Sequence, residues 1–157
     1  MGVVNLTAFE RQLDRFGANL EKKAILFQKK VAFMVLGAYL DTGDGIRAQV
    51  GLLQLTPVDT GRAVGNYVVS TGSPRFEVID GKFGRDGGGE ANRSRAAATV
   101  QGASVRALAA LRLGESIFIT NSLPYIMVLN DGEANRVAHH MQERSIENTK
   151  RALGRSA

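Results

Sequence analysis

The triplet Asp-Thr-Gly occurs at Asp41-Thr42-Gly43 and again at Asp59-Thr60-Gly61. Paired triplets of this kind are the fingerprint of aspartic proteases, where two carboxylates share one proton and activate a water. That chemistry needs each triplet on a tight loop after a hydrophobic strand, with the two facing each other. Asp41 instead follows a helical pattern, and only eighteen residues separate the copies. Arg62, directly after the second copy, would also depress an acid's pKa. The local alternative is a turn in which Asp or Thr caps the backbone and Gly takes positive φ. His139-His140 holds both histidines of the chain. Neighbours on a helix point about 100° apart and do not readily share a metal. Glu143, three residues beyond His140, could join it, but no third ligand is evident. The glycine-rich stretch Gly81-Lys82-Phe83-Gly84-Arg85-Asp86-Gly87-Gly88-Gly89 has neither P-loop nor dinucleotide-fold spacing. Cysteine is absent, which excludes disulfides and thiolate metal sites.

The 157 residues fit one domain. The formal net charge is +5 and the pI about 9.9, with the basic residues unevenly placed. Residues 1–40 carry six cations against three acids, and residues 81–112 six against two. Such an excess suits an acidic protein surface or a nucleic-acid backbone. Trp is absent, and aromatics do not alternate with the basic residues as single-strand binders require. No helix-turn-helix or zinc-finger signature is present. No apolar run reaches the ~18 residues of a membrane span. The start, interrupted by Glu10, Arg11 and Asp14, does not read as a signal peptide, so synthesis inside the cell is expected.

The positioning elements read as follows. Leu6, Phe9, Leu13, Phe16, Leu20, Ala24, Phe27, Val31, Met34 and Ala38 recur in steps of three and four, predicting one helix over 6–38. Asp41-Thr42-Gly43-Asp44-Gly45 marks its end. Such a helix is about 50 Å long, more than so small a domain can cover, so part of the seam is expected to pack on a neighbouring chain. The alternative is a break near Gly17, with the helix folded back as a hairpin. Residues 46–55 suit a short helix or a tucked loop before Pro57. Tyr67–Ser70 and Phe76–Asp80 read as strands, joined through Ser73-Pro74 as a hairpin. Residues 81–95 read as a mobile loop whose Lys82, Arg85, Arg93 and Arg95 are candidate contacts to a partner or DNA. Residues 94–113 are Ala-rich and helical in pattern, either continuous or split at Gly102 into two short helices. Glu115–Thr120 is the strongest strand, Pro124–Leu129 a helical turn, and Met141–Leu153 a final helix with Ile146 and Leu153 on one side.

Two phrases carry a resemblance through their order. Thr56-Pro57-Val58-Asp59-Thr60-Gly61-Arg62 follows the long helix. Glu115-Ser116-Ile117-Phe118-Ile119-Thr120-Asn121-Ser122-Leu123-Pro124-Tyr125 follows the Ala-rich segment, with Asp131-Gly132 just after. This arrangement resembles the neck or tail-completion family of long-tailed bacteriophages, over nearly the whole chain. The chain differs in inserting residues 41–55, and in having Val137-Ala138-His139-His140-Met141 where the family often has Ala-Pro-x-Gly-Met. The resemblance implies an α+β fold, a small twisted antiparallel sheet with a long N-terminal helix and shorter helices packed on it. The expected single domain comprises helix and insertion (1–55), a sheet core with the mobile loop (56–132) and a C-terminal helix (133–157). Pro57, Asp59, Thr60, Gly61, Pro124 and Tyr125 then serve as structural turn residues. The implied role is a structural one without catalysis, cofactor or metal: a homo-oligomeric, hexameric ring at the head–tail junction of a virion. Its partners would be neighbouring connector and tail proteins, with DNA passing along the lumen. A tail terminator, a head-closure adaptor and a basic DNA-binding protein are the alternative roles.

Overall fold

Steps of three and four between apolar residues build one unbroken helix, α1 (Leu6–Leu36). The computed structural model describes residues 6–38, 50–81, 88–132 and 137–154. α1 continues through Gly17, so the folded-back hairpin does not form. It stops earlier than the sequence pattern indicates. Gly37 takes φ +76°, and its N–H meets the carbonyls of Phe33 and Met34 at 2.9 and 3.2 Å. The Ala38 N–H returns to the Phe33 carbonyl at 3.0 Å. These bonds satisfy carbonyls that a helix end leaves open. Asp41–Gly45, where the sequence places the stop, lies outside the described residues.

The last turn of α1 is buried at Ala32, Phe33, Met34 and Leu36. A short helix, α2 (Leu52–Leu55), starts against this turn. The Gln54 side chain clasps the junction. Its Oε1 accepts the Gly51 N–H at 3.1 Å and its Nε2 donates to the Gly37 carbonyl at 2.8 Å. A Cβ on Gly51 would lie 2.3 Å from the Gly37 nitrogen, so the close approach requires glycine there.

A single turn, α3 (Arg62–Gly65), leads into strand β1 (Val68–Thr71). β1 pairs antiparallel with β2 (Ile117–Thr120), in the register Val68 to Thr120 and Thr71 to Ile117. The intervening helix α4 (Gly89–Ala109) packs on β1 and α3. The chain then makes a short helix, α5 (Ile126–Asp131), and a last one, α6 (Met141–Gly154), which packs on α1 and α2. The architecture is α+β: a two-stranded antiparallel sheet with a long N-terminal helix and shorter helices around it. Phe33, Leu36, Leu53, Val64, Tyr67, Val69, Val100, Leu108, Leu123 and Met141 meet in one core.

Three expectations require correction. Phe76–Asp80 forms no strand, and β1 takes β2 rather than this segment as its partner. Ile117 and Ile119 join Val69 in the core, whereas Phe76 stays 72% exposed. The Asn66 side chain substitutes for a strand neighbour, accepting the Ile79 N–H at 2.7 Å and donating to its carbonyl at 3.2 Å. Residues 89–95 are helix rather than mobile loop, because Asn92 and Ala96 begin a buried line continued by Val100, Ser104 and Leu108. Lys82 and Arg85 lie outside the described residues. Gly102 does not divide α4. In α6 the buried line is Met141, Ser145 and Thr149, and Ile146 is 46% exposed. Small hydroxyl residues let α6 lie close to α1, where Ser145 Oγ donates to the Val35 carbonyl.

Candidate functional site

The two sequence phrases meet in space. Asn121 donates to the Ala63 carbonyl at 2.8 Å, tying the turn after β2 to α3 across 58 positions. The same Asn accepts the Leu123 N–H at 3.3 Å and shapes the approach to Pro124. Gly61 sits at φ +79° and starts α3. The Asp59 carbonyl accepts from Asn92 Nδ2 at 3.0 Å, so that turn is tied to α4. Residues 57–63 line a pocket of about 380 Å³ with Tyr125 and Leu129. Pro57, Asp59, Thr60, Gly61 and Tyr125 are thereby brought together, with Pro124 on the adjoining turn.

Among the described residues, the pocket does not present the dyad of an acid protease. Asp59 is the one carboxylate among the described lining residues, and Arg62, which also lines the pocket, pairs with Asp80 at 3.4 Å. Proton sharing needs two. Asp41 lies outside the described residues. His139 and His140 are held by their backbones, their N–H groups meeting the Leu129 and Asn130 carbonyls at 3.2 and 2.8 Å. Among the described residues, no cluster of His, Asp or Glu could hold a metal.

Arg93 turns inward. Its Nη1 lies 2.9, 2.8 and 2.9 Å from the carbonyls of Leu53, Gln54 and Thr56, the open end of α2. Glu90 pairs with its Nε at 3.2 Å. A guanidinium held this way fixes α4 to α2 and has little left for DNA or a partner. Arg95 is exposed, its Nη1 3.3 Å from Asn92 Oδ1. Beneath Arg93, Thr56 Oγ1 bonds the Leu52 carbonyl at 2.7 Å and the Tyr67 hydroxyl at 2.9 Å. Burial pushes the Tyr67 phenol above its ordinary pKa of 10.0, a rise the Thr56 bond partly offsets. The sequence marked Arg93 for a partner or DNA and gave no sign of this internal role for Arg93 or Gln54, because their acceptors are backbone carbonyls supplied by distant elements.

Among the described residues, two uncovered features are apolar. Residues 6–23 of α1 are exposed throughout, including Leu6, Phe9, Leu13, Phe16 and Leu20. At ~1.5 Å per residue, this length projects roughly 27 Å from the body. Beside the rooted half of α1 runs a groove of about 730 Å³. Phe27, Val31 and Val35 form one wall, Ile117 and Ile119 another, and Ile146 of α6 closes it.

No family model, curated protein or solved structure matches the chain.

Large contiguous apolar surface on a monomer marks an interaction site more often than a solvated face. Among the described residues, no helix is long and apolar enough to cross a membrane. The pocket of the two phrases is small, and its lining groups are bound into local structure. The seam residues Leu6, Phe9, Leu13, Phe16 and Leu20 stay more than half exposed, and the groove between α1 and β2 is open. They form the candidate functional surface, and the sequence disclosed only the seam. Ile117, Ile119 and Ile146 belong to elements far apart in the chain, so no local pattern could show a groove.

Proposed function

We propose that the chain is a structural virion protein that assembles as a homo-oligomeric ring at the head–tail junction of a tailed phage, in the neck or tail-completion position. Its work there is mechanical and needs no catalysis or cofactor. One observation carries the reading: a rigid helix exposes five large apolar residues, each more than half exposed, on a length that its own body leaves uncovered. Removing such a stripe from water supplies roughly 25 cal/mol per Å², which favours association. A closed ring needs two different surfaces per protomer, because each copy meets its neighbours through unlike faces. The projecting stripe and the apolar groove are two unlike faces. The formal charge of +5 suits neighbours with acidic rings or a DNA-bearing lumen. The order of the Pro-Val-Asp-Thr-Gly and Asn-x-x-Pro-Tyr phrases supports the same station, as does the contact through Asn121 that joins them.

The test is deletion of the gene from the phage that carries it. Separate filled heads and finished tails are expected, with joining restored by the purified protein. Normal infectious virions from the deletion would refute the proposal. Accumulation of overlong tails, or leakage of DNA from heads lacking the protein, would move the station to terminator or head-closure adaptor.

A further inference from the structure

The apolar seam of α1 is two stripes rather than one. Leu6, Phe9, Leu13, Phe16 and Leu20 alternate in steps of three and four. This is the narrow a/d pattern by which one helix buries a line of side chains against a partner. The next step, Leu20 to Ala24, repeats a four and shifts the pattern. Such a slip rotates the stripe around the helix. Beyond it, Ala24, Phe27, Val31 and Met34 lead into the body. The outer stripe therefore serves a surface other than this chain's core, and its five residues are 51–66% exposed.

We propose that the outer stripe of one copy, Leu6 to Leu20, seats in the Phe27–Val35 and Ile117–Ile119 groove of a second copy, joining chains head to tail. This deepens the ring reading by naming its contact, and shares with that reading only the premise of self-association. Five observations select a second copy as the occupant. A convex apolar stripe and a concave apolar groove stand on the same chain, both uncovered among the described residues. The chain cannot fill its own groove, because stripe and groove wall follow one another along an unbroken helix.

The positions flanking the stripe, Glu10, Gln12, Gly17 and Asn19, carry a single charge, and Gly17 has open space around it. Gln28 lines the groove, and its Oε1 is buried without a hydrogen-bond partner. The amides of Gln12 and Asn19 are donors suited to that acceptor. The stripe's exposed apolar area is on the order of 600 Å², given the ~150–250 Å² an aromatic ring can bury. A stable interface buries roughly 800 Å² per partner, so stripe and flanks together approach one side of it.

The contact is tested by complementation with the full chain. The stripe variant carries Leu13→Asp and Phe16→Asp. The groove variant carries Phe27→Asp and Ile146→Asp. All four sites are at least 46% exposed, so circular dichroism and melting should match the parent. Light scattering is expected to show the parent assembled and each variant monomeric, with association weakened at least about 100-fold. An equimolar mixture should form pairs and nothing larger, because one intact stripe and one intact groove remain. A groove variant that assembles like the parent would overturn the proposal in favour of stripe-to-stripe pairing. Monomers in the mixture would also overturn it. If the parent assembles and neither variant is affected, this contact falls and the ring reading survives. A monomeric parent removes both, and flotation of that parent with anionic phospholipid vesicles would assign the stripe to a lipid surface.

Discussion

Replacing Arg93 by Ala separates a structural arginine from a binding one. Its Nη1 serves the three carbonyls of Leu53, Gln54 and Thr56, all within 2.9 Å. One nitrogen has two hydrogens, so the bonds are shared. Gln54 is exposed, and water can replace the arginine at its carbonyl. The Leu53 and Thr56 carbonyls belong to buried residues and lose their charged donor. A hydrogen bond to a charged group contributes about 1.5–3 kcal/mol, and leaving a buried acceptor open costs about 1–3 kcal/mol. Discounting for sharing and partial exposure leaves a loss of about 2–3 kcal/mol. For a domain of this size each kcal/mol moves Tm by roughly 2–4 °C, so a fall of about 5–10 °C is expected. Arg93→Lys keeps the charge but not the planar fork, and should recover less than half of the loss. Glu90→Gln is the control. Its carboxylate is 83% exposed, so its pairing with Arg93 is worth under ~1 kcal/mol. Scanning calorimetry on the three variants decides the matter. An Arg93→Ala melt within about 2 °C of the parent would refute the internal role and return Arg93 to the candidate DNA or partner contacts.

Tyr67 gives a pH test. Its folded pKa lies above the ordinary 10.0. Its stabilising contribution is whole below pH 10.0 and is lost as pH rises toward the folded value, because the unfolded chain then binds fewer protons. Urea midpoints from pH 8 to 11 should fall less steeply in Tyr67→Phe than in the parent, and identical slopes would contradict the burial. Gly51→Ala brings a Cβ to 2.3 Å from the Gly37 nitrogen, so it should cost more than the ~1–3 kcal/mol of ordinary overpacking. Gly17→Ala meets nothing within 4 Å and should stabilise the isolated chain by up to ~1 kcal/mol. Matching melts for these two glycine variants would show that the Gly37–Gly51 approach is not as close as described. Asn66→Ala removes both bonds to Ile79, and exchange at the Ile79 amide should accelerate at least tenfold. Unchanged protection there would mean that another group holds Ile79.

The sequence alone determined what repeats locally. The period of apolar residues from Leu6 onward produced α1, and β-branched runs produced β1 and β2. Pro and Gly set the turns at 57–61 and 124–125, because backbone restriction acts on neighbouring residues. It also made evident that a helix of this length exceeds the body beneath it. Strand pairing was decided by the tertiary fold. Phe76–Asp80 has strand-forming residues and a turn before it, yet β2 wins because Ile117 and Ile119 can enter the core beside Val69. The same is true of Arg93. Its role depends on carbonyls 37 to 40 positions away, and a charged residue in a glycine-rich neighbourhood reads as solvent-facing until those carbonyls are in place. The groove was hidden for the same reason, since α1, β2 and α6 each contribute residues that look ordinary in sequence. Local order follows from short-range sterics and periodicity, whereas pairing, capping and concavity depend on what distant segments can bury together.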